Sequence, residues 1–239
     1  MDVLRLSRST YALGVRGLHS EYADRTLLLI DGRSANSPSF GGIQFNRLPL
    51  ILDDIERIEV VRGPGGAAWG ANAFNGVINV ITKDPAKTRG LMVGSQVTWH
   101  GDTYNQLRYG FGDDVLSMRL SLGYNQHTKT TDALGDNRSA HNDFARQRLM
   151  DLQGSYTISD QARLRFGIGY DNLTFGSEEF LDAVPDQNNN FYTIRPYLKF
   201  EHDIDADSSW YVRWFTNVDR EDRPGRWNTE TVENDLEAQ

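Results

Sequence analysis

The chain has 239 residues, no cysteine, 38% hydrophobic and 24% charged residues, and a formal net charge of −8. That length can bury a sizeable core, the ordinary charged fraction argues against disorder, and the absence of cysteine excludes a disulfide scaffold. No basic excess marks a nucleic-acid surface, and the longest apolar run, Leu27-Leu28-Leu29-Ile30, is far short of the ~20 residues of a membrane-spanning helix.

Any membrane crossing therefore has to be made by a barrel. The start, Met1-Asp2-Val3-Leu4-Arg5-Leu6, runs into polar Ser7-Arg8-Ser9-Thr10 without the apolar stretch of a signal peptide. Residues 1–85 hold nine acids and nine bases, whereas residues 86–239 hold 24 acids and 16 bases. This shift predicts a boundary near Asp84-Pro85.

The first 85 residues predict a compact mixed unit. Four short β-rich runs (11–16, 26–30, 55–62 and 77–82) are each closed by turn residues: Gly17, Asp31-Gly32, Gly63-Pro64 and Lys83-Asp84-Pro85. Residues 48–55 and the Gly-, Ala- and Asn-rich stretch 65–75 predict short helices. Together they describe a small α+β unit.

Residues 91–221 alternate with a period of two. Leu116, Met118, Leu120, Leu122 and Tyr124 take turns with Ser117, Arg119, Ser121 and Gly123. Leu164, Phe166, Ile168 and Tyr170 do the same with Arg163, Arg165, Gly167 and Gly169, and Ile194, Leu198 and Phe200 with Arg195, Lys199 and Glu201. Trp210, Val212 and Trp214 form a fourth series, and weaker ones occupy 91–99, 106–111 and 149–158. About seven strands are expected. Asp113-Asp114, Ser159-Asp160 and Asp205-Ala206-Asp207 read as tight turns, and 127–144 and 176–190 as long polar loops. Short turns at one end and long loops at the other suit an outer-membrane barrel. An antiparallel soluble sandwich, such as a lectin, also alternates. Strands beyond ~10 residues, and a charged row of Arg108, Arg119, Arg163, Arg165, Arg195, Lys199 and Arg213 opposite the apolar row, favour a barrel with a wet lumen.

From Ile55 the chain reads IERIEVVRGPGGAAWGANAFNGVINVITK, ending at Lys83. This closely resembles the plug of TonB-dependent outer-membrane receptors, where an IERIEV-RGP strand precedes a small-residue turn, YG-NA and a GVINIIT strand. Upstream, Leu28-Leu29-Ile30-Asp31-Gly32-Arg33 resembles the family's LIDG segment, and Val15-Arg16-Gly17 its IRG. The matching positions include Arg16, Gly17, Asp31, Gly32, Glu56, Glu59, Arg62, Gly63, Pro64, Gly70, Asn72, Gly76 and Asn79, all with structural roles in folding a plug. The resemblance implies a mainly β protein: residues 1–85 the later part of a plug domain, residues 86–239 the first strands of a transmembrane β-barrel, incomplete at both ends. It also implies that Arg16 and Arg62 lie close together, that their glutamate partners sit on later barrel strands, and that Glu59 or Asp31 substitutes locally.

No catalytic constellation accompanies these motifs. His19, His100, His127, His141 and His202 lack metal spacing, Gly63 to Gly66 lacks the Lys-Ser/Thr of a phosphate loop, and Asp53-Asp54 reads as a solvated or capping pair. An enzyme is not expected, nor a cofactor or metal. What the resemblance implies is ligand-gated uptake of a scarce nutrient, an iron–siderophore complex before vitamin B12, haem or an oligosaccharide. Its expected partners are outer-membrane lipid, the small-molecule ligand and the TonB energy-transducing complex, gripped through a TonB box absent from this chain. A surface receptor or adhesin that binds without transporting is the alternative. His127, His141 and Asp143, in the first long loop, are candidates for ligand contact, against the plainer reading of a solvated loop.

Overall fold

The structure is a computed structural model and describes residues 2–5, 11–15, 18–20, 25–37, 41–43, 47–63, 65, 69, 71–128, 144–176, 188–225 and 227–239. Three sheets account for its strands. β1 (Asp2–Arg5), β2 (Tyr11–Val15) and β3 (Leu18–Ser20) form an antiparallel sheet in that order. β4 (Thr26–Ile30), β5 (Arg33–Ser34), β6 (Ile55–Arg62) and β7 (Gly76–Thr82) form a second, ordered β5-β4-β7-β6.

β4 lies parallel to β7, between it and β5. A strand covered on both faces needs apolar residues at every position, and the Leu27-Leu28-Leu29-Ile30 run meets that need: all of β4 is buried. One face packs Leu28 and Ile30 with Ala35, Ile43, Ile78 and Val80; the other packs Leu27 and Leu29 with Ala73 and Val77. β6 is one edge of this sheet, and its Ile58, Val60 and Val61 are exposed.

The third sheet is an eight-stranded antiparallel meander, here called the wall. It comprises β8 (Gly90–Val97), β9 (Thr103–Gly112), β10 (Leu116–His127), β11 (Ala145–Ser159), β12 (Ala162–Gly176), β13 (Asn188–Asp203), β14 (Ser209–Arg223) and β15 (Trp227–Ala238), each paired with the next. β8 and β15 do not pair with each other among the described residues. β11 to β14 run to 15 or 16 residues, beyond the ~3–10 usual in soluble sheets. In this register Leu120 stands between Tyr109 and Leu152, Leu152 beside Ile168, Phe166 beside Leu198, and Leu198 beside Trp214. The expected apolar row is thus one continuous face, and the interleaved arginines share the other.

Three expectations need correction. The wall has eight strands where the alternation predicts about seven. The extra one is β15, which lies beyond the alternating stretch 91–221; twelve pairs with β14 hold it extended. The helices expected at 48–55 and 65–75 are, among the described residues, 3-10 turns at Leu52–Asp54 and Ala71–Ala73. A single Trp69 N–H to Gly65 C=O bond of 2.8 Å is α-like. Segments this short close i→i+3 bonds without the length to propagate an α-helix. A further 3-10 turn, Pro85–Thr88, starts at the predicted boundary, with the Asp84 carboxylate accepting the Ala86 N–H at 2.9 Å.

Candidate functional site: where the small sheet meets the wall

Asp31-Gly32 turns β4 into β5 with both residues at positive φ, 50° and 77°. Aspartate tolerates that conformation better than most side chains, and here its carboxylate has a second task. It accepts the Thr82 N–H at 2.8 Å and the Thr82 hydroxyl at 3.0 Å, tying the turn to the end of β7. Gly32 N–H donates to Asn79 Oδ1 at 3.1 Å, Asn79 Nδ2 to Glu59 at 3.4 Å, and Arg57 to Glu59 at 2.8 Å. Three sequence-predicted positions, Gly32, Asn79 and Glu59, therefore form one hydrogen-bonded relay across the sheet, and the neighbouring Asp31 ties the same turn to Thr82. Gly76 is required by close approach: a Cβ there would stand 2.4 Å from the Val61 carbonyl oxygen.

The other predicted positions lie apart from this relay. Glu56 meets Lys87 at 3.6 Å. Arg62 and Asn72 are exposed, and Gly63 donates its N–H to the Asn75 carbonyl at 3.2 Å. Arg16, Gly17, Pro64 and Gly70 lie outside the described residues, so the expected closeness of Arg16 and Arg62 falls outside them too. The suggested local substitutes are engaged elsewhere, Glu59 by Arg57 and Asp31 by Arg33.

The small sheet docks on the charged face of the wall, and side chains reaching backbone carbonyls do much of the holding. Arg213 of β14 donates to the Asp31 and Gly32 carbonyls at 3.1 and 2.9 Å and pairs with Glu237. A side chain at Gly32 would stand 2.7 Å from its guanidinium. Asn217 donates to the Ser34 carbonyl at 3.1 Å, and Arg195 to that of Ala35 at 3.4 Å. The segment from Asp31 to Ala35 is thus held by three side chains of β13 and β14. From the small-sheet side, Arg33 stacks 3.6 Å over the Tyr197 ring.

A second anchor centres on Asp54, which is 2% exposed. Its carboxylate lies 3.0 Å from Arg108 Nη1 and 3.7 Å from Arg119 Nε. Arg119 is fully enclosed; it also meets Asp151 at 3.3 Å and donates to the Lys83 carbonyl at 2.6 Å. Two expectations give way here. Asp54 is not a solvated acid, and Arg119 does not face open water, because the small sheet covers it. A buried guanidinium needs carboxylates and carbonyls around it, and Asp54, Asp151 and Lys83 supply them. Sequence reasoning missed Asp54 because its partners are more than 50 residues away; the inward row of arginines was the available signal.

A third contact carries the reverse polarity. Arg47 of the small-sheet unit lies 3.0 Å over the Phe191 ring and 3.8 Å from Glu221 of β14. Burial pushes the Arg47 guanidinium down to about 9, against the pull of Glu221 and Asp219. At the turn end of the wall, Asp113 accepts N–H bonds from Val115 and Leu116 at 2.9 and 2.8 Å, which hold its carboxyl below the usual range.

His127 sits at the top of β10, its Nδ1 3.7 Å from Asp102 and its ring edge-on to Tyr104. His141 and Asp143 lie outside the described residues, so no cluster with His127 is established. No group of metal-binding side chains occurs among the described residues.

Comparison with known proteins agrees with this architecture. Residues 6–77 match the TonB-dependent Receptor Plug Domain family. The chain is 46% identical over 79 residues to the vitamin B12 transporter BtuB of Vibrio vulnificus, covering 33% of this chain and 12% of that protein. It is 38% identical over 132 residues to the ferric enterobactin receptor of Pseudomonas aeruginosa, covering 51% and 17%. The ferric yersiniabactin uptake receptor FyuA of Yersinia pestis superposes with a TM-score of 0.70 at 17% identity, over 95% of this chain and 38% of that one. The chain thus spans less than a third of the length of these two curated relatives.

Proposed function

Because this chain belongs to the TonB-dependent receptors, a family of outer-membrane proteins, we propose that residues 1–85 form plug and residues 86–239 form barrel wall within a receptor-length protein that takes up a scarce nutrient. The ligand class proposed is an iron–siderophore complex. The apolar face of the wall meets lipid, the end of the wall from which the predicted loops 127–144 and 176–190 run lies outside the cell, and the TonB complex supplies energy from the periplasmic side. The predicted plug positions keep their structural role. His127, with His141 and Asp143 of the same loop, contributes to ligand contact.

One observation supports this above all. A sheet of plug type seats its turn and carbonyls on the charged face of an antiparallel wall whose opposite face is apolar. A soluble sandwich would bury an apolar face between its sheets; here the apolar face is turned away from the partner sheet. Transport follows from loosening that polar seat, since bonds to carbonyls exchange with water at a small net cost.

The test is uptake of radiolabelled iron–siderophore by cells lacking their own receptors and expressing the receptor-length protein, with and without TonB. Accumulation that requires TonB is expected. Ligand held at the surface without TonB-dependent accumulation would favour a receptor that binds and does not transport.

A further inference from the structure

A cavity of about 760 Å³ lies between the 48–55 segment of the plug and the upper inner face of β8 to β11. It falls within the range of small-molecule sites, roughly 300–1,000 Å³. The strand register organises one side of it. Gln96, Tyr104, Asn125 and Gln147 stand directly opposite one another on four successive strands, making a row of neutral hydrogen-bonding side chains. One step below, Gln106 lies between Gly94 and Gly123. The two glycines make room for the side chains beside them: a Cβ at Gly94 would stand 2.6 Å from the Gln106 amide, and one at Gly123 3.1 Å from Leu149. The opposite side is apolar, formed by Leu48, Leu50, Ile51 and Ile55.

Charge is what distinguishes this lining. Among its described residues there is no lysine or arginine; the single carboxylate, Asp53, is already bonded to the Gln106 amide, and the one imidazole, His127, lies 3.7 Å from Asp102. Asn125 donates to Gln147 at 3.1 Å, and Gln147 in turn donates to Asp171 at 2.5 Å, so these two amides form a bonded pair at one end of the row. A carboxamide offers donors and an acceptor side by side, which matches the amides of a ligand in either direction. An anion of high charge brought into the same space would lose its water without gaining a lysine or arginine partner.

We propose that this cavity binds a charge-neutral, amide-bearing metal chelate and discriminates against anionic chelates. For iron, that class is a ferric tris-hydroxamate, whose three singly charged ligands cancel Fe(III). A tris-catecholate complex keeps a large negative charge. The proposal rests on the uptake reading above and narrows its substrate.

The receptor-length protein in detergent is titrated with ferrichrome, ferric enterobactin and cyanocobalamin, with tryptophan quenching as the readout. Ferrichrome or cyanocobalamin is expected to bind more tightly than ferric enterobactin, and the two arms separate an iron hydroxamate from a corrinoid. Asn125→Ala should weaken the neutral probe about tenfold, the loss of one well-made hydrogen bond. Gln96→Lys, at an exposed position of the first wall strand, should narrow or invert the preference against ferric enterobactin. Tighter binding of ferric enterobactin by the unaltered protein, neutral-probe affinity unmoved by both substitutions, or no binding of any probe would each overturn the proposal. TonB-dependent uptake, measured separately, still decides whether the receptor transports.

Discussion

Arg119 illustrates how the wall pays attention to the plug at the level of single residues: its guanidinium is enclosed by Asp54 from one unit, Asp151 from the other and the Lys83 carbonyl. Removing one carboxylate leaves charge stranded. Asp54→Ala is therefore expected to destabilise the docked state by about 3–5 kcal/mol. Adding Arg119→Met should recover part of that loss, since an apolar side chain of similar length needs no partner, while Arg108 and Asp151 each still lose one. Denaturant unfolding of the single and double variants in detergent, followed by tryptophan fluorescence, measures both. Additive losses in the double variant would show that the pair is not coupled. At this scale the Asp31-Gly32 turn was legible, because Asp-Gly announces positive φ. The docking partners were not: Arg213 and Asp31 are 182 positions apart, and nothing local in either segment points to the other.

Strands and turns carry the next set of consequences. The chain has no native cysteine, so single cysteines report strand facing cleanly. In liposomes, Leu120→Cys should resist a water-soluble maleimide while Gln96→Cys reacts; equal rates would place the Leu120 face in water. Leu120→Arg, midway along β10, should cost roughly 2–4 kcal/mol if that face meets lipid, read as a drop in the denaturant midpoint. The Asp113 turn makes a pH prediction. Its carboxyl is held below the usual range only in the folded turn, by the Val115 and Leu116 N–H groups. Its stabilisation is complete above the unfolded carboxyl's pKa of ~3.9 and is lost as pH falls through the lower folded value. The two amide resonances should move together at acid pH, and Asp113→Ala should abolish the movement; an unchanged titration in the variant would assign it to another acid. Strands β10 and β12 were readable because leucines and phenylalanines alternate with arginines and glycines. β15 was not, because only Val232, Leu236 and the terminal Ala238 interrupt its polar residues on the outward face. Its extended form comes from pairing with β14, which no local pattern records.

The whole molecule combines a small sheet with an apolar interior and a long wall that is apolar on its outside, joined through polar contacts. This arrangement lets a plug remain folded by Leu28, Ile30, Ile78 and Val80 while the bonds that seat it are exchangeable with water. The order of motifs along residues 11–83 made the architecture legible before any contact was known. The direction of the ion pairs was harder to read: Asp54 of the plug receives wall arginines, whereas Arg47 of the plug meets wall Glu221. Ser34 and Asn217, bonded at 3.1 Å, mark where the seat can be locked. With Ser34→Cys and Asn217→Cys in the receptor-length protein, oxidation or a short bismaleimide should cross-link plug to wall. Ligand uptake should then fall at least about tenfold with surface binding retained, and after disulfide closure a reductant should restore it. A receptor that forms no cross-link, or that transports at full rate with the cross-link complete, would contradict a plug seated on β14 and released during uptake.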